Sequence, residues 1–374
     1  MNIIAFSPKE RKFQKLFIQF PFALYKNIPQ WVPPLVSDTK YWFDTKNNPF
    51  YHSGEARFFL ALDEKEQVLG RLAILDNQRY NDYFKIKTAF FYLFECIDDF
   101  SVAECLFKAG FDWAKERGLN QVIGPKGFSV LDGYGTLIEG AQRRATYGQI
   151  YNPDYYQSLI EKLGFSKRWD TYSGYMDRTK QLPEKIFQVA ELIQKKRGFR
   201  VRLFKTKSEL KAIIPDVKHL YNQSLAEDSR NIPVSDEEMR VLAKQLIRFA
   251  DPQLVKIIYK GDQAVGFMLA YPNISAALQK TGGKLFPFGW ITLLHGLKHA
   301  DSVTLNGAGI LKEYQRLGGT ALLYAEMYKS IMADPNYQYG EFLQVRDDNT
   351  NMKLEWENVG VGFTRVHRLY QIDL

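Results

Sequence analysis

Gly309-Ile310-Leu311-Lys312-Glu313-Tyr314-Gln315-Arg316-Leu317-Gly318-Gly319-Thr320 reads as the end of a strand, a short loop and the first turn of a helix. The apolar spacing carries that helix on through Tyr328. This order aims several backbone N–H groups, and the positive end of a helix dipole, at one point. Gly318 and Gly319 put no Cβ in the way of an approaching ligand. The stretch is therefore a candidate cradle for a phosphate or pyrophosphate.

Working outward, the chain repeats itself once. Leu24-Tyr25 returns as Leu220-Tyr221, and the pattern around Gly70 returns around Gly266. The segment ending at Gly164 returns as the one ending at Gly360, an offset of 196 (360 − 164) shared by all three landmarks. Such recurrence indicates two copies of one fold. The polar run before Pro183 marks the junction, giving expected domains 1–180 and 181–374. Each copy reads as leading helices, a β-hairpin (56–62 with 68–75; 254–259 with 264–271), then a central strand. A helix (102–117; 319–332), a further strand and a closing helix (155–163; 352–359) follow. The expected class is α/β (α+β), a mixed sheet flanked by helices.

The 374 residues carry a net charge of +8, with 45% hydrophobic, 25% charged and 15% aromatic residues. That is ordinary for a globular chain rich in Phe and Tyr. The basic run Lys195, Lys196, Arg197, Arg200, Arg202, Lys205 and Lys207 reads as a solvated helix end and edge strand, or as a contact for an anionic substrate or RNA. No DNA partner is expected. Two cysteines, Cys96 and Cys105, form no disulfide framework. The N-terminus has no signal-peptide pattern, and the longest apolar stretch, 285–297, is short for a membrane span. A cytoplasmic location is the expectation. Leu285–Leu294 reads as an apolar helix or a lid, with plain core the simpler account. His295 and His299 lack the glutamate of the zincin pattern, so no metal is expected.

In combination, these features resemble the GNAT superfamily of acyl-CoA-dependent N-acyltransferases, in tandem form. The family's phosphate loop, Gln/Arg-x-x-Gly-x-Gly/Ala, is similar to Gln315-Arg316-Leu317-Gly318-Gly319-Thr320, with Thr320 in the last place. Val345 and Asn349, followed by a helix ending near Gly360, match its next motif. The resemblance implies a mostly antiparallel sheet in each copy and an acyl group, expected to be acetyl, moving from acyl-CoA to a small-molecule or peptide amine. It implies that Ile310 and Leu311 meet pantetheine, that Gln315, Arg316, Leu317, Gly318, Gly319 and Thr320 meet the diphosphate, and that Asn349 bonds pantetheine or the loop. The first copy looks like the same fold without that loop: Glu95, Asp98 and Asp99 stand in its place, and their charge would repel a diphosphate.

The family's acid is often a Tyr four residues before the closing Gly; here that residue is Trp356, whose indole is no useful acid. The catalytic residues are thus unassigned, with Tyr314, Tyr324 and Glu341 candidates by type. The glycine-rich run Gly124–Gly135 reads as a strand and long loop at a cleft between the copies, which would help shape an acceptor pocket or serve as a plain structural turn. Two other readings stay open: a non-catalytic acyl-CoA sensor, and a tandem transferase using aminoacyl-tRNA or a long-chain acyl donor.

Overall fold

The computed structural model describes residues 1–225 and 230–374. They form two compact units, each drawing on both halves of the sequence: Met1–Thr171 with Ser275–Leu294 and Arg365–Leu374, and Tyr172–Ile274 with His295–Thr364. Each unit takes its closing strand from the other half of the chain, which a linear reading into 1–180 and 181–374 does not capture.

In unit 1 the strands run in the order Asn2–Phe6, Gly54–Leu62, Val68–Asn77, Thr88–Cys96, Gln121–Gly124 and the C-terminal strand from Arg365. All neighbours are antiparallel except Thr88–Cys96 with Gln121–Gly124. Helix Phe100–Glu116 covers one face through Val102, Leu106, Phe107, Gly110 and Trp113, a spacing that puts them on one side. On the Phe6 side, rings of Phe6, Phe17, Phe43 and Phe58 lie within 4.5–6.3 Å of one another. The high aromatic content therefore goes to core packing here.

Unit 2 repeats the plan with Phe199–Arg202, Val255–Lys260, Gln263–Pro272, Ser302–Ile310 and Tyr339–Arg346, followed by the end of strand Ser166–Asp177. Again one pair is parallel, Ser302–Ile310 with Tyr339–Arg346. Both closing helices, Tyr155–Lys162 and Thr350–Asn358, end at a glycine with φ 92°, Gly164 and Gly360. Each glycine N–H donates to a carbonyl three residues back, at 3.0 Å. A residue with a Cβ would be strained at that φ, which explains why both copies carry glycine there.

Unit 1 buries His367 completely on the C-terminal strand. Its Nε2–H donates to the Ile150 carbonyl at 3.0 Å, while Nδ1 has no partner among the described residues. Burial holds this imidazole down at about 4 from an ordinary 6.5, and Arg365 pushes the same way. The unfolded ring takes up a proton near pH 6.5 and the folded ring only near pH 4, so its contribution is whole above pH 6.5 and lost as pH falls to 4. At ~1.4 kcal/mol per pH unit the loss is about 3 kcal/mol. Urea unfolding between pH 7 and 4 should show this loss, and His367→Gln should flatten that part of the profile.

Candidate functional site

Strand Ser302–Ile310 organises the site in unit 2. Its parallel pairing with Tyr339–Arg346 covers only Ser302↔Tyr339 to Leu305↔Phe342. Beyond Leu305 and Phe342 the two strands part, while Ser302–Ile310 stays paired on its other edge as far as Ile310↔Gly266. A fork opens in the sheet, and Asn306–Gly309 are exposed or half-exposed along it. A bulge sits at its mouth: Asn306 and Gly307 together face Leu269 alone, and Gly307 takes φ 117°. Backbone groups on one side of a fork can pair with an extended ligand as with an added strand.

Past the fork the chain turns through Lys312–Tyr314 into helix Gly319–Ala333. Gln315 Nε2 donates to the Ile310 carbonyl at 3.2 Å and fixes the loop to the strand end. Arg316 has φ 59°, and Gly318 caps the helix at φ 96° with no side chain bonded to the first turn. The N–H groups of Gly319, Thr320 and Ala321 thus have no intrahelical acceptor. Helix Glu184–Arg197 supports the loop from behind. A Cβ on Gly318 would come within 2.9 Å of Ile193 and 3.0 Å of Val189, and one on Gly319 within 2.9 Å of Ile310. Arg197 Nη1 donates to the Leu317 carbonyl at 3.0 Å. The basic run at 195–207 is thus partly occupied: Arg197 holds the loop, Arg200 bonds the Gly261 carbonyl and Lys207 the Arg248 carbonyl.

The structure brings Ile310, Leu311, Gln315, Arg316, Leu317, Gly318, Gly319 and Thr320 into one strand–loop–helix corner. Leu311 N–H is already given to Val265 at 2.9 Å. Asn349 accepts the Met352 N–H on its side-chain oxygen at 3.1 Å, capping helix Thr350–Asn358, so its side chain is held at the helix start.

Sequence reasoning named Glu341 as a candidate but missed the polar row that it belongs to beside the fork. Tyr271 pairs with Thr304, and Thr304 with Glu341, so the three side chains stand side by side on one face of adjacent strands. Thr304 and Glu341 are buried, and the Thr304 hydroxyl has no partner among the described residues. Burial raises the Tyr271 phenol well above its usual range, against the hydrogen bond it shares with Asn306 and with the help of the Glu341 charge. The available signal was Asn306 interrupting an apolar strand among glycines. Of the other acid candidates, Tyr314 donates its hydroxyl to Gln263 at 3.0 Å. Tyr324 is buried, bonded by Trp356 and shifted further from ionising. Trp356 itself is core, its ring 5.4 Å from Phe342.

The corresponding corner of unit 1 is filled by its own side chains. Beyond the last parallel pair, Phe90↔Ile123, the Phe91 carbonyl accepts Lys126 N–H at 2.9 Å. Tyr156 Oη accepts Cys96 N–H at 2.8 Å, and Tyr155 Oη donates to the Cys96 carbonyl at 2.7 Å. The 196-residue offset puts Asn351 and Met352 where these tyrosines stand (351 − 155 = 196). Asp99 Oδ1 accepts Ser101 N–H at 2.8 Å, capping helix Phe100–Glu116 where the second copy has Gly318. Glu95 was expected to repel a diphosphate; instead it pairs with buried Arg71, so occupancy by Asp99 and the tyrosines, not free charge at Glu95, closes this corner. In the same unit the glycine-rich run is bound to its own neighbours, through Gly135 N–H to the Pro125 carbonyl at 3.0 Å and Ser129 N–H to Asp132 at 2.8 Å.

The chain has the tandem GNAT fold. It aligns over its whole length with the tandem GNAT protein of the clavulanic acid pathway (TM-score 0.57, 9% identity, 98% of that chain). It also aligns over 99% with a GCN5-related N-acetyltransferase of Sphaerobacter thermophilus (TM-score 0.51, 12% identity, 95% of that chain). No family model matches the sequence. Among curated proteins the chain is 27% identical over 365 residues to Protein YghO of Escherichia coli K12, covering 96% of this chain and 92% of the relative. It is also 27% identical over 373 residues to the bacterial ceramide synthase of Caulobacter vibrioides, covering 96% and 94%.

Proposed function

We propose that the protein is an acyl-CoA-dependent N-acyltransferase with a single working site, in its second copy. The observation that carries this is the contrast between the copies: an open fork leading to a helix start with no side-chain cap in one, tyrosines and an aspartate cap in the other. Pantetheine would pair with the free edge at 306–310, and the diphosphate would take the N–H groups of 318–321. The donor we propose is a long-chain acyl-CoA, and the acceptor an amine of the sphingoid-base type. The full-length similarity to a protein named ceramide synthase supports that choice. The acetyl group expected from the sequence has only low-identity structural likeness behind it, and that likeness carries the fold alone.

The amine must lose a proton and the CoA thiolate must gain one. Glu341 is the carboxylate nearest the fork in the pairing, and we assign it the base, with Tyr271 and Asn306 orienting it. Glu341→Gln should lower kcat ~10²–10⁴-fold, the usual worth of a general base, with CoA affinity unchanged. The deciding assay supplies acetyl-CoA and long-chain acyl-CoAs with sphingoid-type amines, detecting free thiol and the amide product by mass. Thiol release only with long chains and amine together supports the reading. Saturable CoA binding without thiol release from any donor would instead indicate a sensor.

A further inference from the structure

Apart from Leu293, the large apolar side chains of 286–294 stay out of the core, contrary to the simpler expectation. Phe286 is 89% exposed, Phe288 72%, Trp290 51%, Leu294 57% and Ile291 49%. Five large apolar side chains in nine residues, all facing water, form a patch that globular surfaces rarely leave uncovered. We propose that this segment docks the protein on the surface of an anionic phospholipid membrane. The proposal does not depend on the transferase reading.

The segment is held at its base and presented outward. The Gly283 carbonyl accepts Val36 N–H at 3.0 Å, and Gln279 Nε2 donates to the Pro29 and Trp31 carbonyls at 2.7 and 2.8 Å. In helix Gly289–Lys298, Leu293 is buried and faces the protein. Trp290, Ile291, Leu294 and Lys298 follow one another at i, i+1, i+4 and i+8, and so share a face. That face is apolar for a turn and a half and ends in a cation. Lys280, Lys284 and Lys298 are exposed around it, and no Asp or Glu occurs between Asp262 and Asp301. The nearest acid on the supporting segment, Asp38, accepts a bond from the Tyr147 hydroxyl. An apolar face ringed by cations suits acyl chains beneath anionic headgroups. A tryptophan whose indole N–H is already bonded, here to the Pro287 carbonyl at 3.1 Å, loses little on entering the headgroup boundary. No helix among the described residues is long and apolar enough to cross a membrane, so this contact would be made at the surface.

The test is co-sedimentation of the full chain with vesicles of phosphatidylcholine alone, or mixed equally with phosphatidylglycerol. Wild type should pellet with the mixed vesicles and much less with phosphatidylcholine. The variant Phe286→Ser/Phe288→Ser/Trp290→Ser should lose at least about tenfold in partitioning, as expected for removing the buried apolar anchors. Because these side chains are exposed, its thermal unfolding should match wild type. Lys280→Glu/Lys284→Glu/Lys298→Glu should abolish the preference for the anionic mixture. The proposal is overturned if wild type stays in the supernatant with both vesicles, or if the serine variant pellets equally well. A wild-type dimer that the serine variant splits in sedimentation velocity would also overturn it, because a second copy would then cover the patch.

Discussion

Gly318→Asp is expected to weaken CoA binding by at least about 100-fold, ~2.7 kcal/mol, in a calorimetric titration. The change copies into the second copy the cap that Asp99 provides in the first. A carboxylate at the helix start takes the free N–H groups and sets a negative charge where the diphosphate would rest. The substitution also has a structural cost. Gly318 sits at φ 96°, and a Cβ there meets Val189 and Ile193. Non-glycine residues in such conformations lose roughly 1–3 kcal/mol. Gly318→Ala carries the same strain without the charge, so it should melt early yet retain most of the affinity. Thr320→Glu separates the two effects with opposite signs. Its carboxylate should stabilise the first turn by about 0.3–1 kcal/mol while excluding CoA. A Thr320→Glu protein that binds CoA as wild type does would remove the diphosphate from this corner.

The largest expected loss of stability lies in the first copy, at Glu95. Arg71 is 2% exposed, donates Nη1 to the Phe17 carbonyl at 2.6 Å, and lies 4.6 Å from the Phe17 ring. Glu95 is its carboxylate partner. Glu95→Ala leaves a buried guanidinium uncompensated, which typically costs 3–5 kcal/mol. Replacing both partners with apolar residues, Arg71→Met with Glu95→Leu, should recover most of that loss, because no buried charge remains. Urea unfolding of the two variants checks both halves. A single variant within ~1 kcal/mol of wild type would mean that water reaches Arg71 when Glu95 is gone.

The parts of the fold that were legible in the sequence are those set by local chemistry. The strand–loop–helix corner follows from glycines at Gly318 and Gly319 and the apolar period after them. The repeat follows from Gly164 and Gly360, which must each take a positive φ at a helix end. The exchanged closing strands were not legible, because Ser166–Asp177 and Gly362–Asp373 read as sound strands in whichever unit they join. Strand pairing is a long-range choice that a local pattern does not encode. The polar row was hidden for the same reason: Tyr271, Thr304 and Glu341 lie far apart in sequence and meet only through register. That Leu285–Leu294 mostly faces water was not legible, because apolar composition alone does not distinguish core from exposed surface. Glu95 was misread because charge was counted without its partner, Arg71.

In the proposed function, the tandem chain keeps one working CoA corner and has filled the other with its own side chains. Calorimetric titration of CoA into wild type, Asp99→Ala and Gly318→Asp tests it most directly. A single CoA per chain is expected for wild type, the same stoichiometry and affinity for Asp99→Ala, and no measurable binding for Gly318→Asp. Two CoA per chain, or binding that survives Gly318→Asp and disappears in Asp99→Ala, would contradict it.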